Sequence, residues 1–224
     1  MLLGKPEIEK YLASGDIVID PYVPENLGSA QYDVTIGENV YREVSHLGSL
    51  YNPFDERQVR RKWALDKAIT HEDWIERTGQ ALMNIAPDDK LIIVSPGETI
   101  LAHTQEFIGG ACNFITTMMK ARSSMGRNFF EVCKCAGMGD AGYFNRWTME
   151  ITNNSRYHQI PIVVGRRVAQ LLFFKIEPVD AKDVYDQTGK YQGTKSLEAL
   201  KAAWSPEAML PKQWKDRECR PVRS

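Results

Sequence analysis

The sequence predicts a mainly β fold of the barrel or jelly-roll kind, and three observations support that prediction. Short apolar runs of β type recur along the chain, at 91–94, 99–102, 114–119, 147–152, 159–164 and 168–176. Turn residues bound them, as in Ser95-Pro96-Gly97-Glu98. Helical periodicity shows chiefly near the two ends and in one charged stretch, and no internal repeat stands out. Strands this short, at this spacing and with glycine turns, suggest a barrel or jelly-roll-like β-fold.

In chain order, residues 5 to 15 read as a short helix. Ile8, Tyr11 and Leu12 recur at three- and four-residue spacing, and Gly15 stands at the C-cap. Ile17-Val18-Ile19-Asp20 is a strand stopped by Pro21, and Gln31 to Gly37 is a second. Asp33 within it is expected to be a structural acid holding a turn through nearby backbone amides. From about 53 to 90 charges of both signs crowd together, which predicts a solvated insertion. The sharper alternative there is a lid or subunit contact through Trp63 and Trp74. Thr70-His71-Glu72-Asp73 has the form of a helix-opening box.

The β-type runs between 91 and 176 come next along the chain. Tyr185 to Gly193 is then a polar, aromatic, glycine-containing segment of the kind a mobile phosphate-contacting loop uses. Ser196 caps an expected helix, Leu197 to Trp204, that Ser205-Pro206 ends. The last dozen residues, with Lys212, Lys215, Arg217, Arg220 and Arg223, read as a frayed basic tail. The expected organisation is one domain over 1–195, carrying the 53–90 insertion, and a helical C-terminal extension over 196–224.

The totals narrow the function. The chain has 224 residues, 43% of them hydrophobic and 25% charged, with a net charge of −1. That balance gives no general field for a nucleic-acid polymer or an acidic membrane, so any bound anion must be held by a local cluster. The start of the chain lacks the long apolar core of a signal peptide, and the expected compartment is the cytoplasm. Cys112, Cys133, Cys135 and Cys219 do not have zinc-site spacing and are expected to be free thiols. His71-Glu72-Asp73 does not satisfy the H-x-E…P-C-x-x-C signature of the zinc deaminases.

The stretch from Lys120 to Phe174 concentrates the chemistry. Hydroxyl, guanidinium, carboxylate and amide groups punctuate its apolar runs: Arg122-Ser123-Ser124-Met125-Gly126-Arg127, Ala136 to Tyr143, Glu150 and Arg167 to Gln170. A charged ligand needs all four kinds of group, and an apolar core needs none.

These residues resemble the dCTP deaminases of the trimeric dUTPase superfamily. The likeness rests on Arg122-Ser123-Ser124-x-x-Arg127, Ala136, Asp140-x-Gly142-Tyr143, Glu150 and Arg167-x-x-Gln170-Leu171. Upstream, Asp20-Pro21-Tyr22, Tyr32 to Gly37 and Pro96-Gly97-Glu98…Leu101-Ala102-x-Thr104-x-Glu106 fit in the same order, and Gly189-Lys190-Tyr191-Gln192-Gly193 is similar to the family's C-terminal loop. The resemblance implies a distorted β-barrel or jelly-roll-like subunit in a homotrimer with active sites between subunits. It also implies Mg²⁺ carried on the nucleotide triphosphate, with no zinc. Glu150 would be the catalytic carboxylate, and Ser123 and Arg127 would complete the water and substrate site. Asp140 would meet the deoxyribose 3′-hydroxyl. Gln170, Lys190 and Tyr191, with Gln192 beside them, would lie along the phosphates, while Arg122, Ser124, Ala136 and Tyr143 would contribute further substrate contacts.

Elementary chemistry accounts for these residue types. Deamination adds water at C4 of cytosine and expels ammonia, so a base must take a proton from water and later deliver one to the amine. One carboxylate among apolar neighbours such as Met149 and Ile151 can do both, because burial raises its pKa toward working pH. Arg127 stays protonated, so it can orient or polarise but cannot act as the base. Arg122, Ser123 and Ser124 offer donors to phosphate oxygens. Gln170 in an apolar β-run needs partners for both ends of its amide.

The chain also departs from the family pattern. Met138-Gly139 precedes Asp140 where a bulky residue and isoleucine are usual, Asn145 stands in a glycine's place, and Thr194 follows Gly193 in place of a second glutamine. The expected reaction is dCTP, or a closely related deoxycytidine nucleotide, to dUTP and ammonia. The alternatives are a bifunctional enzyme that goes on to dUMP and pyrophosphate, and a non-catalytic nucleotide-binding regulator.

Overall fold

A computed structural model describes residues 1–45, 48–185 and 189–219. Its strands are β1 (Ile17–Asp20), β2 (Tyr32–Thr35), β3 (Asn39–Glu43), β4 (Trp63–Lys67), β5 (Ile69–Thr70), β6 (Lys90–Val94), β7 (Thr99–Gly110), β8 (Ile115–Ala121), β9 (Phe130–Val132), β10 (Met138–Gly139), β11 (Phe144–Asn153), β12 (Ile160–Val163) and β13 (Arg167–Lys175). Among the described residues they form three antiparallel sheets. The largest runs β4-β3-β7-β11-β9 with β1 also on β7, the second runs β10-β8-β13-β2, and the third β12-β6-β5. Each order has two ends, so no sheet closes on itself as a barrel. The fold is mainly β, as expected.

One apolar core lies between the sheets. Tyr32, Val34, Ile100, Ala102, Met149, Ile151, Leu171 and Phe173 are among its fully buried members. Successive side chains of a strand point to opposite faces. Burying Met149 and Ile151 therefore turns Glu150 to the outer face of the large sheet.

The helices are α1 (Lys5–Ser14), α2 (Glu56–Lys62), α3 (His71–Thr78), α4 (Ser123–Arg127) and α5 (Leu197–Ala203). Gly15 ends α1 in the left-handed conformation, at φ 80°. Thr70 and Asp73 exchange the two bonds of a capping box at the start of α3. The Ser196 side chain accepts from the Ala199 amide at the start of α5. No helix among the described residues is long and apolar enough to cross a membrane.

Three expectations need correction. Asp33 does not hold a turn. Pairing of β2 with β13 sets Asp33 opposite Gln170, and its carboxylate accepts from Gln170 Nε2 at 3.0 Å while ion-pairing Arg122 at 3.2 Å and Arg167 at 3.1 Å. The mixed-charge stretch is not simply solvated, because Val59 is fully buried and Trp63 packs beside it on the face of the large sheet. The tail is docked rather than frayed as far as it is described. Trp214 packs against the cluster of Tyr41, Val59, Leu101, Met209 and Leu210, and Asp216 pairs with Lys190; ahead of the tail, Leu200 packs with Phe107 and Phe144. Arg220 and Arg223 lie outside the described residues.

Candidate active site

Glu150 opens into a cavity of about 560 Å³ on the outer face of the large sheet. Strand β11 pairs with β7 so that Glu150 stands across from Leu101 and Thr148 across from His103. Burial raises the Glu150 carboxyl above its ordinary value, while its own backbone amide and the nearby Lys134 ammonium oppose that rise. The shift runs in the direction that brings a carboxyl toward the working range of a general base.

Lys134 is brought to the same cavity by an unusual turn between β9 and β10. Cys133, Lys134 and Cys135 all have positive φ, at 66°, 38° and 66°. Non-glycine residues rarely adopt this region, and surrounding contacts must impose it. Here the Cys133 amide donates to the Glu150 carbonyl at 2.9 Å, tying the turn to the strand that carries the acid. The Cys133 thiol is pushed up to about 12 by burial and by the Glu150 charge, so it remains protonated.

Three further sides complete the cavity. Ala136, Met138, Gly139 and Asp140 form one edge, and Tyr143, Tyr185 and Tyr191 form an aromatic side. Tyr143 meets Trp147 and Tyr185 edge-on, with ring centroids 5.3 and 5.0 Å apart. The third side, Trp63 with Ala208, Met209 and Pro211, supplies an apolar wall.

Two of the departures from the family pattern have local explanations. A side chain at Gly139 would meet the Trp147 indole at 2.5 Å, so glycine leaves room for that ring. The Asn145 amide donates to the Tyr191 carbonyl at 3.0 Å and its oxygen accepts from the Arg146 amide, which pins the 189–193 segment to β11.

Of the residues singled out from sequence, the cavity gathers Glu150, Ala136, Asp140, Tyr143 and Tyr191. The others lie elsewhere in the single chain. Ser123, Ser124 and Arg127 are exposed on α4. Arg122 and Gln170 are engaged by Asp33. Arg122 and Arg167 line a separate cavity of about 630 Å³ with Arg166 and Met125. Lys190 is paired with Asp216, and the buried Gln192 amide donates to the Gly142 carbonyl and accepts from the Phe144 amide. Residues 189–193 are thus docked, not free; Asp186, Gln187 and Thr188 of the expected loop lie outside the described residues.

Sequence reasoning missed Trp63, Lys134, Arg146, Thr148 and Met209 as cavity residues. Two-residue alternation back from Glu150 points to Thr148, and its signal was present. Nothing local marks Lys134 or Met209.

A family profile described as dCTP deaminase-like matches residues 2–176. The "dCTP deaminase, dUMP-forming" of Methanopyrus kandleri is 28% identical over 198 residues, covering 86% of this chain and 91% of the relative. That of Persephonella marina, with the same name, is 28% identical over 202 residues, covering 89% and 96%. The solved 2′-deoxycytidine 5′-triphosphate deaminase of Agrobacterium tumefaciens shares the fold at a TM-score of 0.52 with 15% identity. That match covers 77% of this chain and 46% of the solved one, so this chain spans less than half of it.

Proposed function

This chain belongs to the dCTP deaminase-like family, and on that premise we propose that it catalyses hydrolytic deamination of dCTP or a closely related deoxycytidine nucleotide in the cytoplasm. The observation that carries the reading is Glu150: a carboxylate on a strand, raised by burial, open to a cavity of nucleotide size.

In the proposed reaction Glu150 takes a proton from water as the oxygen adds to C4 of the cytosine ring. The proton passes to the exocyclic amine, the C4–N bond breaks and ammonia leaves, and the proton of the added hydroxyl moves to N3 so that C4 becomes a carbonyl. Asp140 is assigned to the 3′-hydroxyl, and Ala136, Tyr143 and Tyr191 to base and sugar packing. The substrate enters as its Mg²⁺ complex, the ion travelling on the phosphates.

Ser123, Ser124 and Arg127 stand outside the Glu150 cavity of their own chain. This supports a homotrimer in which one subunit's Arg122–Arg127 segment completes the site of the next and places hydroxyls and guanidinium groups on the triphosphate. A second step, from the deaminated nucleotide to dUMP and pyrophosphate, is favoured over release of dUTP by the names of the relatives.

Incubation with dCTP and Mg²⁺, following ammonia, dUTP, dUMP and pyrophosphate, tests the proposal. Ammonia with dUMP is the expected result. Pyrophosphate without ammonia, or binding without turnover, rejects it.

A further inference from the structure

The C-terminal segment lies beyond the residues that the family profile covers, yet it is built into the Glu150 cavity. Its described residues run along the outer face of the large sheet and are held there at several points. The Trp204 ring centroid lies 4.6 Å from that of His103, and the ring faces the Arg146 guanidinium at 4.5 Å. Glu207 pairs with Arg60 at 3.0 Å. Met209 and Leu210, 3% and 4% exposed, join Leu101 and Tyr41 in one apolar cluster with Trp63 against it. The Lys212 amide donates to the Tyr191 hydroxyl at 3.1 Å, closing the segment onto the aromatic side of the cavity.

Leu101 links this cluster to the chemistry, because it is the residue across from Glu150 on the neighbouring strand. We propose that Met209, backed by Trp63, is a positioning residue: it forms an apolar wall that keeps bulk water from the Glu150 carboxylate and leaves room only for substrate and the reacting water. The inference rests on the deaminase reading for its consequence in turnover, but not for its effect on the carboxylate itself.

The charged and titratable groups facing Glu150 come from the other elements. Lys134 and Cys133 lie on the turn beyond β9, Asp140 beyond β10, Arg146 on β11 itself, and Tyr143, Tyr185 and Tyr191 on the aromatic side. Among its described residues, the C-terminal segment brings the uncharged Ala208, Met209 and Pro211 to the cavity. Its contribution is therefore desolvation, the largest cause of the raised Glu150 carboxyl. A polar residue in the wall admits water and stabilises the charged form, which lowers the pKa.

The test uses the full chain with Met209→Ser and Met209→Leu. Two readouts are taken: the pH dependence of ammonia release from dCTP with Mg²⁺, and the Glu150 carboxyl titration by difference infrared spectroscopy against Glu150→Gln. In Met209→Ser the acid limb and the titration midpoint are expected to fall together by about one pH unit, a tenfold change in the protonation ratio. Met209→Leu is expected to keep both in place. Should the serine variant not fold, Met209→Gln keeps the length, adds a polar end, and is expected to give the same fall. An unmoved midpoint in the polar variants overturns the inference. A midpoint that falls in a protein releasing no ammonia leaves the wall standing and rejects the deaminase reading instead.

Discussion

Glu106 on β7 and Glu150 on β11 are carboxylates on neighbouring strands, and burial raises both above their ordinary values. Glu106 faces the core at 2% exposure. Its oxygens accept from the Thr35 amide at 3.0 and 3.2 Å and from the Thr35 hydroxyl at 2.8 Å. Glu150 faces the outer side, and among the described residues no other side chain donates to its carboxylate. Glu150 is half-buried where Glu106 is buried, but the decisive difference is saturation. A buried acid whose lone pairs are occupied ties strands together, whereas one left open beside a cavity keeps its lone pairs for a proton in transit.

The sharpest way to break this contrast is Glu150→Gln. Loss of the base is expected to lower deamination ~10²–10⁴-fold. Nucleotide binding, read from the fluorescence of Trp63 and Trp147 in the cavity, is expected to survive. Next in size is Glu106→Ala, which leaves the Thr35 amide and hydroxyl buried without acceptors. Urea unfolding should show a loss of about 1–3 kcal/mol, with per-molecule activity of the folded protein retained.

Asn145→Gly extends the comparison to another saturated polar group. It removes the bond to Tyr191, so a loss of about 1 kcal/mol is expected, together with faster proteolysis near 189–193 and a raised KM. The smallest effect is expected from Lys134→Met. The Lys134 charge favours the Glu150 carboxylate. Removing it raises the pKa further, so the acid limb of the pH–rate profile should move to higher pH, by less than the polar Met209 variants move it down.

Most strands and the first helix were legible because their apolar periodicity is local. The length of β7 was not. His103, Thr104, Gln105 and Glu106 interrupt its apolar run, and their burial depends on partners far along the chain, Thr35 above all. The acid was legible through Met149 and Ile151, which fix its face, and through motif order. Its surroundings were only partly so. Lys134 reaches the cavity through a left-handed turn that the sequence Cys133-Lys134-Cys135 does not announce. Just ahead of the basic tail, Met209 and Leu210 are apolar anchors whose partners Leu101 and Tyr41 are remote in sequence. The division of site residues between two faces follows from strand pairing, and no spacing along the chain encodes it.

The most direct measurement is turnover of dCTP and Mg²⁺ in ¹⁸O-labelled water, with mass analysis of base and phosphate separately. The account predicts ammonia release and one heavy oxygen on C4 of the product's uracil ring, with both lost in Glu150→Gln. Label confined to phosphate, with the cytosine amine intact, would contradict it.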